Sequence, residues 1–78
     1  MNALEDIAEA RSALDAGHNR EAARRLNRAT LETLDPELLT EIRELAVKGR
    51  GGAGPLRRRL VWDHIIDETE VRGRRPQG

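Results

Sequence analysis

Residues 17–36 read Gly-His-Asn-Arg-Glu-Ala-Ala-Arg-Arg-Leu-Asn-Arg-Ala-Thr-Leu-Glu-Thr-Leu-Asp-Pro, and the rest of the chain is arranged around them. Gly17 predicts the end of a first helix, because a residue without a Cβ adopts the left-handed conformation that closes helices. Asn19 is predicted to cap a second helix through its side-chain oxygen. Asp35 and Pro36 predict the start of a third helix, with aspartate as the cap and proline at the first helical position. The stretch therefore predicts a complete helix between two helix boundaries.

The second helix, predicted over residues 20–34, carries small residues along its apolar stripe. The stripe follows spacings of four, three and four residues and consists of Ala22, Leu26, Ala29 and Thr33. Two of its four members are alanine, so the backbone of a neighbouring helix can approach closely. The loop before this helix is only a few residues long, which predicts that it packs antiparallel to the first helix, residues 3–16.

The order of small, large and turn-forming residues extends this pattern into a longer motif, carried by Gly17, Ala22, Leu26, Ala29 and Asp35-Pro36. The motif resembles the second half of a tetratricopeptide repeat, and the resemblance covers residues 3–48. It implies a helical scaffold that binds other proteins. An ordinary helical hairpin unrelated to that family has the same pattern, so both interpretations stand at this point.

The flanking segments complete a bundle of three to four helices. Asn2 and Glu5 form a variant of the capping box at the start of the first helix. The third helix is predicted to end at Gly49, giving a first unit of residues 1–48. A shift of 34 residues places Leu4 on Leu38, which suggests an internal repeat.

The C-terminal part is predicted to be a linked helix. Residues 49–55 contain four glycines and predict a flexible linker. A C-terminal helix is expected over residues 56–71, and a disordered basic tail over residues 72–78. The fold class is therefore all-α: a hairpin, a third helix and a tethered fourth helix.

Composition predicts a thin core. The chain has 78 residues, with 17 Leu, Ile and Val, one Trp and neither Phe nor Tyr. A chain this short buries only about 60% of the surface that its unfolded form exposes. We therefore expect a partner protein, or a second copy of the chain, as a further source of stability.

Composition also indicates where in the cell the chain is expected. The chain has no cysteine, so it has neither a disulfide framework nor a thiolate metal site. No apolar run reaches the length of a signal peptide or a membrane span. A cytoplasmic location without membrane contact is the expectation.

No catalytic, cofactor or metal site is predicted. The single serine, Ser12, has no residue nearby in sequence that would activate it. His64 has Asp67 and Glu68 within one helical turn, but one histidine without thiolates is a poor zinc ligand set. Enzyme activity is therefore not expected.

Two groups of residues are candidates for binding a protein partner. Arg20, Arg24 and Arg28 follow one another every four residues on the outer face of the second helix. They are either a docking strip for an acidic partner or phosphates, or a solvated face compensated by Glu21 and Glu32. The second group is Trp62, Ile65 and Ile66, on one face of the fourth helix. These side chains either close over the hairpin or anchor another chain, as tryptophan often does in interfaces.

Arginine clusters bracket the fourth helix and are candidates for binding polyanions: Arg57, Arg58, Arg59, Arg72, Arg74 and Arg75. Four carboxylates lie between the clusters, and no aromatic residue interleaves with the arginines for base stacking. Any nucleic-acid binding is thus expected to be non-specific. The sequence favours a small adaptor for protein–protein interaction, with a nucleic-acid-associated accessory protein as the alternative.

Overall fold

The computed structural model describes residues 2–52 and 56–74 and confirms the all-α fold class. Its four helices are α1 (Ala3–Asp15), α2 (Asn19–Glu32), α3 (Pro36–Gly52) and α4 (Leu56–Gly73). No strand occurs in the described ranges. Residues 53–55, the last three of the predicted linker, lie outside the described residues.

The boundaries of α1 follow from local hydrogen bonds. Asn2 Oδ1 accepts from the backbone amide of Glu5 at 2.9 Å, which confirms the predicted N-cap. Glu5 Oε1 accepts from the Asn2 side-chain amide at 3.4 Å instead of from the Asn2 backbone amide, so the second bond of the predicted capping box is replaced by a contact between side chains. At the other end Gly17 has φ of +80°, the predicted left-handed conformation. The amide of His18 then donates to the carbonyl of Ala13 at 2.8 Å, which completes a Schellman motif.

The predicted Asn19 cap is wrong, because α2 begins one residue earlier than expected. Asn19 is the first helical residue, and His18 occupies the cap position without a side-chain hydrogen bond. The His18 carbonyl already accepts from the amide of Ala22 at 3.0 Å. The Schellman motif ends at His18, and α2 begins at the next residue. His18 therefore closes the turn and is also the N-cap residue of α2.

The cap of α3 is confirmed. Asp35 Oδ1 accepts from the amide of Glu37 at 2.9 Å, and the Asp35 amide donates to Thr33 Oγ1 at 3.0 Å. Pro36 occupies the first helical position, where its missing amide costs no hydrogen bond. These bonds fix the turn between α2 and α3.

Gly49 does not end α3, so the predicted boundary at residue 48 is wrong. The helix continues to Gly52, and Gly49 is buried within it. A Cβ at position 49 would lie 2.5 Å from Cη2 of Trp62, whereas one at Gly51 would meet nothing within 4 Å. Gly49 therefore makes room for the indole ring and is not a helix-closing residue.

The fourth helix also runs further than predicted. It reaches Gly73, so Arg72 and Gly73 are helical and do not belong to a disordered tail. The Arg72 guanidinium donates to the backbone carbonyl of Thr33 at 3.3 Å and to that of Leu31 at 3.5 Å. It thereby binds carbonyls that the end of α2 leaves without helical partners. The remaining predicted tail, residues 75–78, lies outside the described residues.

The helices form two hairpins that stack on each other. Helices α1 and α2 form one hairpin and α3 and α4 the other; α3 also contacts α1 and α2, and α2 contacts α4. Arg11–Glu41 at 3.5 Å and Asp15–Lys48 at 3.7 Å join α1 to α3, which run in the same direction. Over the described residues α1 and α4 do not contact each other. Helices α2 and α3 therefore touch across the middle of the bundle, and α1 and α4 lie at its opposite ends, each in contact with α2 and α3.

The core is built from small residues in the first hairpin and larger ones in the second. An offset of 36 residues matches their buried positions: Ala10 with Ala46, Ala13 with Gly49, Leu26 with Trp62, and Ala29 with Ile65. The offset of 34 residues suggested by the sequence is therefore not the register of the core. Leu4, which that offset relies on, is exposed.

Candidate interaction surfaces

The arginine strip of α2, defined as Arg20, Arg24 and Arg28, lies on the exposed side of the helix. Arg24 Nη2 lies 2.6 Å from Glu21 Oε1, and Arg25 Nε lies 3.0 Å from Glu21 Oε2. Hydrogen bonds from Arg24 and Arg25 lower the pKa of Glu21. The charge in the middle of the strip is thus balanced by Glu21, which agrees with a compensated surface.

Beneath this strip lies a buried carboxylate that the sequence pattern alone did not single out. Asp6 is fully buried between α1 and α2, and its Oδ1 lies 3.4 Å from Arg25 Nη1. Its Oδ2 has no hydrogen-bond partner among the described atoms. The signal was present in the sequence, since Asp6 lies three residues after Ala3 and four before Ala10, on the buried side of α1.

Glu32 lies beside Asp6 and responds to it. Once protonated, the Glu32 carboxyl becomes a donor for the Asp6 carboxylate. Hydrogen bonding to Asp6, followed by desolvation and repulsion between the two charges, raises the pKa of Glu32. Attraction to Arg28 acts in the opposite direction. Proton binding by Glu32 is therefore linked to the stability of the α1–α2 hairpin.

The apolar group of α4 packs within the chain. Trp62 is 2% exposed, Ile65 is fully buried and Ile66 is half-buried against the same core. Of the two alternatives for this group, the structure contains the closure over the rest of the chain. Trp62 and Ile65 therefore do not form a surface that another chain reaches without undocking α4.

The opposite side of α4 is uncovered. We define the α4 outer face as Leu60, His64, Asp67 and Val71, all of which are exposed. Leu60 is 59% exposed and Val71 is 65% exposed. His64 and Asp67 take part in no hydrogen bond or ion pair within residues 2–52 and 56–74.

The arginines that bracket α4 have different surroundings. Arg59 is exposed, Arg72 binds the end of α2, and Arg74 lies 3.1 Å from Glu70. Glu70 is also 3.2 Å from Arg43 of α3. The remaining candidates are not described in their side chains or lie beyond the described residues: Arg57, Arg58 and Arg75. Two of the three described arginines thus have partners within the chain.

The described ranges contain no cluster of three or more His, Asp or Glu side chains that could hold a metal ion. Within the same ranges, every helix is too short or too polar to cross a membrane.

Comparison with known proteins adds no relative: no protein family, no curated protein and no solved structure matches the chain. The resemblance to a tetratricopeptide repeat remains a prediction from the sequence.

Proposed function

We propose that this chain is a small, non-catalytic module for protein–protein interaction. The observation that carries the proposal is the number of large apolar side chains left on its surface. Among the residues whose side chains the structure describes, seven are between 48% and 65% exposed: Leu4, Leu31, Leu34, Val47, Leu60, Val61 and Val71. The chain has only 17 Leu, Ile and Val residues, so about two in five lie outside an already thin core. Where such side chains lie close together in the chain, as Leu31 and Leu34 do, they favour a local apolar surface that a partner covers.

The arrangement of the helices supports a scaffold of the tetratricopeptide type. Two helical hairpins stack with their buried positions offset by 36 residues, close to the 34-residue length of that repeat. Stacked hairpins bury one side of each unit against the next and leave the terminal helices uncovered. An open end of this kind suits the binding of another helical element.

The arginine strip of α2 supports an acidic partner as one class of ligand. All three arginines of the strip are exposed, although Arg24 is paired with Glu21. Solvent-exposed charges contribute mainly to the rate of association and to specificity. Apolar contacts with the exposed leucines and valines would then supply most of the affinity.

Affinity capture from a lysate of the source organism tests the proposal. The bait is the full chain, compared with a variant in which Leu31→Asp and Leu34→Asp remove apolar surface, and with a variant that carries R20E, R24E and R28E. Glu5→Gln, on α1 and exposed, is the matched control. We expect at least one protein to be enriched by wild type and by the control, and about tenfold less by one of the two variants. Equal recovery with every bait, or no enriched protein, would refute the proposal.

The alternative function, that of a nucleic-acid-associated protein, can be tested directly. Arg72 and Arg74 already have partners within the chain, so this function has less support. Binding through arginines releases counterions and weakens steeply with salt. A gel-shift titration at low salt that shows tight, salt-sensitive binding would favour this function over the protein-binding one.

A further inference from the structure

We propose that the α4 outer face binds a second copy of the chain, with the two α4 helices antiparallel. The inference rests on the proposed function, because it names the partner for one surface of the module. Helix α4 lies at one end of the bundle, in contact with α2 and α3 only, and its outer face is exposed. The four residues of that face determine which partner fits.

The α4 outer face is narrow and continuous. At about 100° per residue, Leu60, His64, Asp67 and Val71 fall within an arc of about 60°. Trp62 and the other buried positions of α4 lie on the opposite side of the helix. The outer face therefore makes contact without disturbing the docked side.

The order of residues along this face is self-complementary. In an antiparallel pair related by a two-fold axis, Leu60 lies opposite Val71 of the second copy, and His64 lies opposite Asp67. A histidine N–H then donates to a carboxylate at both central positions, and the apolar side chains cover both ends. A parallel pair would instead place histidine against histidine and carboxylate against carboxylate.

The exposure and the hydrogen-bonding state of these four side chains support the antiparallel pairing. The apolar ends, Leu60 and Val71, are 59% and 65% exposed in the single chain. The central His64 and Asp67 have no partner within the described residues. Both the apolar and the polar groups of the face thus gain contacts from the same docking event. The face is only about 16 Å long at 1.5 Å per residue, so the dimer is expected to be weak.

Sedimentation equilibrium from about 1 μM to 1 mM tests the association. We expect wild type to show a reversible monomer–dimer equilibrium within this range. Leu60→Asp or Val71→Asp should raise the dimer dissociation constant by about tenfold or more. Leu4→Asp is the matched control, because Leu4 is 61% exposed in the first turn of α1, where an acidic residue favours the helix dipole. A wild type that stays monomeric at 1 mM, or equal weakening by Leu4→Asp, would overturn the inference.

A charge exchange tests the antiparallel pairing. His64→Asp alone places a carboxylate opposite Asp67 of the second copy and should weaken the dimer by about threefold or more. The double variant H64D/D67H restores one histidine opposite one carboxylate and should recover most of the affinity. Circular dichroism checks that each variant keeps its helix. A double variant as weak as H64D would exclude this pairing.

Disulfide cross-linking reports the register independently, since wild type has no cysteine. Oxidation of a mixture of Leu60→Cys and Val71→Cys chains should yield mainly the mixed dimer. Like positions are displaced by about 16 Å along the axis, too far for a disulfide. Predominant self-pairing of either variant would overturn the antiparallel arrangement. A monomeric wild type that still captures another protein would leave the proposed function standing, whereas failure of the capture experiment alone would leave the dimer standing.

Discussion

Replacing Gly49 with alanine should destabilise the protein, although the same change elsewhere in α3 should stabilise it. In an exposed helix interior, alanine is favoured over glycine by about 1 kcal/mol. A Cβ added at Gly51 would have no atom within 4 Å, so Gly51→Ala should gain most of this energy. At Gly49 the new Cβ would lie 2.5–2.7 Å from three carbons of the Trp62 ring. Overpacking of this kind costs about 1–3 kcal/mol, so Gly49→Ala should be less stable than Gly51→Ala by about that amount.

Urea unfolding followed by circular dichroism measures this difference. The total free energy of unfolding expected for a chain of this length is about 4–12 kcal/mol, so a change of about 1–3 kcal/mol is readily resolved. Trp62→Leu in the Gly49→Ala background should rescue part of the loss. It recreates the pairing of Ala13 with Leu26 at the matching positions of the first hairpin. A double-mutant cycle should give a favourable coupling of about 1 kcal/mol or more.

Two outcomes would contradict this placement of the indole. If Gly49→Ala stabilises the protein as much as Gly51→Ala, the Trp62 ring does not lie against Gly49. The same conclusion follows if Trp62→Leu costs as much in the Gly49→Ala background as in wild type.

Three other contacts lead to further testable expectations. Because the folded-state pKa of Glu32 is raised, the stability contribution of its protonated form is complete below the unfolded pKa, about 4.3, and is lost as the pH rises through the folded pKa. Glu32→Gln, which keeps a donor for Asp6, should therefore be more stable than wild type at pH 7, and the difference should shrink as the pH falls through the raised pKa of Glu32 and be smallest below the unfolded pKa. Chemical denaturation at several pH values measures this difference, and a difference that does not vary with pH would contradict the expectation. Trp62 is 2% exposed, so its fluorescence should be blue-shifted, resistant to acrylamide and independent of concentration; emission like that of free indole would show that α4 does not dock. Arg72→Ala should lower the free energy of unfolding by about 0.5–1.5 kcal/mol because carbonyls at the end of α2 lose a donor, whereas the control Arg20→Ala should change it little.

The helices and most of their boundaries could be predicted from short stretches of sequence. Asn2, Gly17 and Asp35 act on amides and carbonyls within about four residues, so their roles are visible in a local segment of chain. The all-α class follows from these signals together with the helical period of the apolar residues. Asn19 is one exception, because two adjacent motifs compete for the same few residues, and the ends of α3 and α4 are others.

The sequence singled out the Trp62, Ile65 and Ile66 face of α4 as a contact surface, but it left open whether that face closes over the hairpin or anchors another chain, because this choice depends on tertiary packing. Leu60 and Val71, on the other side of the helix, are also large and apolar, so the helical period alone does not settle which face meets the rest of the chain. The choice depends on the surface that α3 offers. That surface has a glycine at position 49, where the indole fits.

Tertiary contacts also explain why the sequence pattern predicted the wrong role for Gly49 and did not identify Asp6 as a buried residue. A glycine serves either to adopt positive φ or to let another group approach, and the sequence alone does not separate the two uses. Gly17 has the first role and Gly49 the second. Asp6 is buried because α2 brings Arg25 and Glu32 to it across the hairpin. Local chemistry determines where helices begin and end, whereas the role of a buried residue depends on a neighbour that is distant in sequence.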